Sequence, residues 1–184
     1  MNSLGKGQGI NIEQLDVTGG LGWKANEGNE YAYDLDASAF MLGDDGKTPE
    51  DSCFVYYNNR RSHDHGVTLS SDNQRGSAGY SDCETIAVDM GMVDLRIKQI
   101  IFTVTIYQAD LRHHNFGMVH DAYIRIYETG TGKELARYDL EEDFSVETAV
   151  EFAQLVRTDS GWCFQALGNG YKGGLKFFVD KFVY

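Results

Sequence analysis

Hydrophobic and polar positions alternate along several short stretches of the chain, as they do in half-buried β-strands. Between positions 31 and 42 every second residue is apolar, and the residues between them include Asp34 and Asp36. In Lys98–Tyr107 both faces are largely apolar, which predicts a strand in the centre of a sheet. Five further strands are predicted at 53–57, 85–88, 123–127, 134–138 and 162–167. Many short strands separated by turn residues indicate a sandwich or a barrel.

Two stretches show instead the three-to-four-residue spacing of an amphipathic helix. The first follows Ser145, a candidate N-cap, and its apolar positions are Val146, Ala149, Val150, Ala153 and Val156. The second runs from Gly174 to the C-terminus, and its apolar positions are Leu175, Phe178, Val179 and Phe182. The sequence thus predicts one domain, 1–184, that is mainly all-β with one or two peripheral helices.

The charge of the chain narrows the possible partners. Its 184 residues contain 28 acids and 16 Lys or Arg residues, giving a formal net charge of −12 at pH 7. Nucleic acids and anionic membrane surfaces repel such a chain, so nucleic-acid binding is not expected. Neither a signal segment nor a membrane-spanning apolar run is recognisable, and Cys53, Cys83 and Cys163 are odd in number and scattered. These features predict a cytoplasmic protein with free thiols.

Two acids in the first predicted strand are candidate metal ligands. Asp34 and Asp36 project from the same face, roughly 7 Å apart at the backbone, where they repel each other unless a cation lies between them. A hard cation that takes 6–8 oxygen ligands would satisfy both carboxylates. Two solvated acids on an exposed strand face are the alternative, and the pair alone leaves both interpretations open.

The stretch Ser70–Glu84 adds further oxygen ligands. It has almost no side chain to bury, and a polar loop of this length in a compact domain is usually functional or disordered. The candidate ligands in this stretch and after the 53–57 strand are Asp72, Asn73, Asp82, Glu84, Asn58 and Asn59. Oxygen-only ligands favour calcium over zinc or copper. The EF-hand consensus is missing, so a calcium site would have to combine several loops.

No sequence pattern identifies a catalytic residue. The histidines lack zinc-ligand spacing, and the glycines at 168, 170 and 173 are followed by too few residues for a dinucleotide-binding unit. A protein without enzymatic activity is therefore expected. The alternative is a metal-dependent hydrolase that uses Asp34, Asp36 and a loop histidine such as His65. A structural subunit without a functional metal is a third possibility.

Several segments, in order along nearly the whole chain, carry a family resemblance. They are Gly20-Leu21-Gly22-Trp23, Tyr33-Asp34-Leu35-Asp36-Ala37-Ser38-Ala39-Phe40, Phe54-Val55-Tyr56-Tyr57-Asn58-Asn59, Asp72-Asn73, Phe116-Gly117-Met118-Val119, Ala136-Arg137-Tyr138-Asp139-Leu140, and 168–175. The chain resembles the TerD-type tellurium-resistance and bacterial stress-protein family.

The resemblance implies a β-sandwich of two antiparallel sheets that binds calcium through acidic loops. It implies a binding or scaffold role in resistance to tellurite and chemical stress, together with other stress-resistance proteins and at the inner membrane surface. No catalytic activity and no cofactor besides Ca²⁺ are implied. By position, Asp34 and Asp36 match the family's strand acids, Asp72-Asn73 match its loop ligands, and Asp82 and Glu84 match the ends of its final acidic run.

The 71–84 stretch departs from the family pattern. Ser71 replaces a glycine, Arg75 replaces a small hydroxyl residue, Cys83 replaces an acid, and the segment 77–81 carries no acid. With fewer carboxylates, we expect weaker calcium binding than is usual in the family and the loss of one of two sites.

Overall fold

Strands dominate the computed structural model, which describes residues 2–24, 32–70 and 82–184. Within these ranges twelve strands form two six-stranded sheets. The strands are β1 Asn2–Ser3, β2 Gly9–Ile12, β3 Asp16–Lys24, β4 Leu35–Leu42, β5 Phe54–Val55, β6 Val67–Leu69, β7 Glu84–Asp89, β8 Gln99–Ile106, β9 His120–Glu128, β10 Glu134–Asp139, β11 Ala149–Thr158 and β12 Gly161–Tyr171. The α-helices are α1 Ala109–Arg112 and α2 Gly174–Phe182.

The two sheets form the predicted sandwich. Sheet A has the order β1-β10-β9-β3-β7-β6, and sheet B has the order β2-β12-β11-β8-β4-β5. Neighbouring strands are antiparallel, apart from the short parallel pair β1 and β10. One buried cluster joins both inner faces and includes Ile86 and Ile124 of sheet A and Phe102 and Leu155 of sheet B. The mainly β fold class is thus confirmed.

The alternation in the first predicted strand sets the faces of β4. Its odd-numbered residues from Leu35 to Met41 lie in the inter-sheet core, whereas Phe40 and Leu42 lie on the outer face of sheet B. The neighbouring strand β8 is hydrogen-bonded to β4 and to β11, so its predicted central position is confirmed. Asp36 lies where β4 begins and β8 ends, and it pairs there with Thr105 of β8.

Helix α2, predicted from its apolar spacing, covers the outer face of sheet B. Phe178 and Phe182 pack with Phe40 and Ile101 in a second buried cluster. On the same face the ammonium of Lys181 lies 2.5 Å from Glu151 Oε1. The helix therefore buries the aromatic side chains on the outer face of sheet B, which the packing of the two sheets alone would leave exposed.

The prediction of a helix after Ser145 is wrong, because residues 149–158 form strand β11. A β-bulge between Glu151 and Ala153 places Phe152 and Ala153 consecutively in the core, and this shifts the alternation by one residue. The shift produces apolar positions at helix-like spacing in a strand. Buried pairing with β8 and β12 outweighs the helical pattern.

Strand β3 was not predicted from the sequence, because its glycines are typical of turns. It lies between β9 and β7 in sheet A. Side chains from other segments lie across it: Asp82 occupies the space over Gly20, and the ring of Tyr123 occupies the space over Gly22. A side chain at either glycine would displace these groups, so the glycines permit close packing on this face.

Candidate metal centre

The two predicted strand acids lie where β4 begins. Asp34 immediately precedes β4, and Asp36 is its second residue. Because Leu35 and Ala37 face the inter-sheet core, the two acids lie on the outer side of sheet B. The side chain of Asp34 is only 17% exposed. Its negative charge is thus partly removed from water, which favours a nearby cation.

Glu84 brings a third carboxylate to this end of the sandwich. It is the first residue of β7 in sheet A and is buried. Its Oε2 accepts a hydrogen bond of 2.7 Å from the backbone N–H of Ala37 in β4. The contact connects the two sheets and places the Glu84 carboxylate at the residue next to Asp36.

A cation from the protein already lies near Asp34. Arg112, the last residue of α1, has its Nη1 3.9 Å from Asp34 Oδ2, and its side chain is 23% exposed. The backbone N–H of Tyr107 donates a hydrogen bond of 2.7 Å to the carbonyl of Asp34. The segment after β8 is therefore attached to the residue that carries the first candidate ligand.

A cleft of about 300 Å³ opens beside Asp36. Its lining includes Asp36, Tyr57, Thr105, Tyr107, Asp110 and Leu175. The pKa of Tyr57 is raised, first by burial and then by the charge of Asp36, with smaller effects from Tyr56 and Tyr107. Tyr57 and Asp36 line the same cleft, and a ligand at Asp36 would be accessible through it.

Asp82 points to a different part of the molecule. On the outer face of sheet A its carboxylate accepts hydrogen bonds from Arg125 Nη2 at 2.7 Å and Nε at 2.9 Å, and from the Tyr123 hydroxyl at 3.0 Å. The hydrogen bond with Asp82 raises the pKa of Arg125 well above its ordinary value. The Asp82 side chain is 7% exposed, so this carboxylate is buried with its own counter-ion.

The predicted amide ligands have mixed positions. Asn59 donates from Nδ2 to the carbonyls of Ser52 at 3.3 Å and Phe54 at 2.7 Å, which holds the turn after β5. Asn58 is exposed. Asp72 and Asn73 lie outside the described residues.

The chemistry of the described carboxylates suits calcium. Asp34, Asp36 and Glu84 offer only oxygen atoms, as a hard cation prefers. Within the described ranges, no group of three or more His, Cys, Asp or Glu residues has the geometry of a metal site. A full shell of 6–8 oxygens would thus need water or other oxygen ligands in addition to these three carboxylates.

Sequence reasoning missed Arg112, Tyr57 and Tyr107 as members of this centre. Each lies far from Asp34 along the chain, and no local pattern marks them. His65, the histidine of the hydrolase alternative, is exposed in the turn before β6 and has a left-handed backbone with φ 63°. No observation favours the hydrolase, which stays a hypothesis.

Comparison with known proteins identifies the family. The model of the TerD domain matches residues 1–182. The chain belongs to the TerD family. It is 42% identical over 178 residues to the tellurium resistance protein TerD of Serratia marcescens, covering 94% of this chain and 92% of that protein. It is 40% identical over 179 residues to general stress protein 16U of Bacillus subtilis (strain 168), with the same coverage.

A solved structure supports the fold of this TerD-family chain. A homologue of the telluride resistance protein TerD from Streptomyces coelicolor A3(2) superposes with a TM-score of 0.72 at 22% identity, covering 90% of this chain and 95% of the other. At this identity the likeness concerns the fold. The tellurium-resistance and stress-response family predicted from sequence is confirmed by the sequence relatives.

Among residues 2–24, 32–70 and 82–184, no helix has the length and apolar character needed to cross a lipid bilayer.

Proposed function

We propose that this TerD-family chain is a calcium-binding module of the stress response, acting as a binding or scaffold component and not as an enzyme. The family names support the stress-response setting. The position of Asp34, Asp36 and Glu84 at the same end of the sandwich is the observation that supports the calcium assignment. Asp82 is left out of the proposed ligands because Arg125 already neutralises it.

Calcium would act here through electrostatics. Asp34 and Asp36 lie two residues apart on one side of sheet B and repel each other, and a divalent cation between them would remove that repulsion. Asp36 also borders the cleft lined by Tyr57 and Tyr107. A bound ion would therefore be open to an oxygen ligand of a partner on its cleft side.

The proposed partners are other stress-resistance proteins in the cytoplasm, with contact at the inner membrane surface. Two calcium ions, at +2 each, would bring the formal net charge from −12 to −8. The molecule as a whole would still be repelled by anionic lipids. Contact with such a surface would thus have to be local and bridged by calcium.

Calorimetric titration of calcium into the metal-stripped protein tests the proposal. Wild type is compared with Asp34→Asn/Asp36→Asn and with Asp44→Asn/Asp159→Asn, a control with the same charge change at exposed positions beyond the other end of β4 and β11. We expect wild type and the control to bind calcium and gain thermal stability, and the first variant to lose both effects.

Two results would contradict the proposal. The first is an absence of heat and of any change in melting temperature up to millimolar calcium. The second is equal binding by all three proteins, which would place the ion away from Asp34 and Asp36.

A further inference from the structure

The segment that follows β8 folds back onto the residues before β4 at three points. The Tyr107 N–H donates to the Asp34 carbonyl, and the Arg112 guanidinium lies near the Asp34 carboxylate. The ring of His114 meets the ring of Tyr33 edge-on, with 4.9 Å between centroids. Arg112 is thus held against Asp34 by contacts on both sides of it along the chain.

Neighbours in the same turn orient the guanidinium. Arg112 Nη2 donates to Gln108 Oε1 at 3.3 Å, and the guanidinium carbon lies 5.5 Å from the centre of the Tyr107 ring. Gln108 and His113, on either side of α1, have left-handed backbones with φ 50° and 54°. Such conformations are costly for residues other than glycine and persist where the surrounding contacts impose them. The turn therefore has a set shape that points Arg112 at Asp34.

Arg112 is the cationic residue of the segment 107–114 that lies near Asp34. Burial, followed by the charge of Arg112, lowers the pKa of His114, so the His114 imidazole is neutral at neutral pH. Asp110, in the same helix, is exposed and negative. Within residues 107–114 the positive charge beside the partly buried Asp34 thus comes from Arg112.

We propose that Arg112 is a built-in counter-cation that competes with calcium for Asp34 and thereby sets the calcium affinity of the centre. This inference rests on the proposed calcium site. Its carrying observation is the separation of 3.9 Å between Arg112 Nη1 and Asp34 Oδ2. That distance is longer than a hydrogen bond, so the attraction between these two atoms is one of charge.

Calcium bound to Asp34 would be repelled by the Arg112 guanidinium if that group stayed in its present position. A calcium ion bound to Asp34 would lie about 2.3–2.6 Å from a carboxylate oxygen. Two positive groups would then sit within a few ångströms of each other in a partly buried place, where repulsion is weakly screened. Calcium entry therefore requires the Arg112 side chain to move aside, and in the absence of calcium Arg112 reduces the repulsion between Asp34 and Asp36.

Calorimetry of the full chain with substituted arginines tests the competition. The variants are Arg112→Gln, the charge-conserving Arg112→Lys, and the control Arg96→Gln, which removes an ion-paired arginine beside Gly43, past the opposite end of β4. We expect Arg112→Gln to bind calcium about tenfold more tightly, with Arg112→Lys and Arg96→Gln near wild type. Without calcium, Arg112→Gln should melt at a lower temperature than wild type.

The outcomes separate this inference from the proposed function. Equal calcium affinity in wild type and Arg112→Gln, or weaker binding by the variant, would overturn the competition and leave the calcium site standing. Binding by neither protein would overturn both. Binding by Arg112→Gln alone would support the competition and contradict the proposed calcium binding by the wild-type chain.

A measurement on the wild type covers the case in which Arg112→Gln does not fold. The NMR signal of the Arg112 side-chain Nε–H is followed during calcium addition. The competition predicts that this signal shifts in step with calcium binding, and an unchanged signal at saturation would contradict it.

Discussion

The predicted carboxylate ligands differ in how closely a protein cation binds them, and this affects whether each one can bind a metal ion. Asp82 receives a two-point hydrogen bond from Arg125 and a third from Tyr123. Asp34 has a looser contact of 3.9 Å with Arg112. A carboxylate with a close, buried partner is part of the framework, whereas one with a distant partner can exchange that partner for a metal ion.

The Asp82–Arg125 pair gives a stability prediction. Arg125→Gln leaves the 7%-exposed Asp82 without its counter-ion, and we expect a loss of about 3 kcal/mol in the free energy of unfolding. Arg137→Gln is the matched control, because its partner Asp139 is 45% exposed, and it should cost less than about 1 kcal/mol. Urea unfolding measures both. Equal losses would show that burial does not separate these two pairs.

The three thiols should differ in reactivity. Burial raises the pKa of Cys53 to about 11, and Cys83 is also buried, whereas Cys163 is partly exposed. Because the thiolate is the reactive form, a thiol reagent at pH 8 should label the native protein rapidly at one site. Cys163→Ser should abolish that labelling. Rapid labelling in the Cys163→Ser variant would contradict the burial of the other two thiols.

The stability effect of Cys53 has a defined sign. Its pKa in the folded state lies above the 9.0 of an unperturbed thiol, so the folded protein holds the proton more tightly than the unfolded chain. The stabilising contribution is complete below about pH 9 and is lost as the pH rises toward about 11. A Cys53→Ala variant should therefore show a weaker loss of stability than wild type between these pH values in urea unfolding. An identical loss in both proteins would assign it to other groups.

Sequence reasoning predicted part of this centre. The shared face of Asp34 and Asp36 follows from strand periodicity, which is a local property. The hydrogen bond from Ala37 to Glu84 and the approach of Arg112 to Asp34 join segments distant along the chain. Contacts of that kind depend on strand order and register, so no spacing within one segment could reveal them.

Among the elements, α2 and β11 show when the spacing of apolar residues is sufficient to predict the secondary structure. Helix α2 packs one face on sheet B and has solvent on the other, so its apolar spacing corresponds to its structure. Strand β11 lies between β8 and β12, and its bulge at 151–153 reproduces a helical spacing. Strand β3 was missed for a different reason, since Gly20 and Gly22 accommodate side chains from elsewhere.

The packing of α2 gives a prediction for this element. Phe178→Ala removes a fully buried ring from the cluster with Phe40 and should cost about 3–5 kcal/mol in the free energy of unfolding. Phe177→Ala, at a partly exposed neighbour in the same helix, should cost clearly less. Thermal and urea unfolding of both variants measure the difference. Similar losses would mean that α2 is not docked through Phe178.

At the scale of the whole molecule, the sandwich brings acids that are distant along the chain to the same end. The strands β4 and β7 belong to different sheets, yet Asp36 and Glu84 come to the same end through the contact with Ala37. The chain leaves this end at Lys24 and Ser70 and returns at Ala32 and Asp82. The family membership, the fold and the acidic end are consistent with one account, in which calcium connects the centre to a partner.

Crystallography of the protein grown with saturating calcium tests that account most directly. The account predicts an anomalous-scattering peak within about 2.3–2.6 Å of carboxylate oxygens from Asp34 and Asp36, with the Arg112 guanidinium displaced from Asp34. A structure in which calcium is bound elsewhere, or in which Arg112 still faces Asp34 and no ion lies beside it at saturation, would contradict the account.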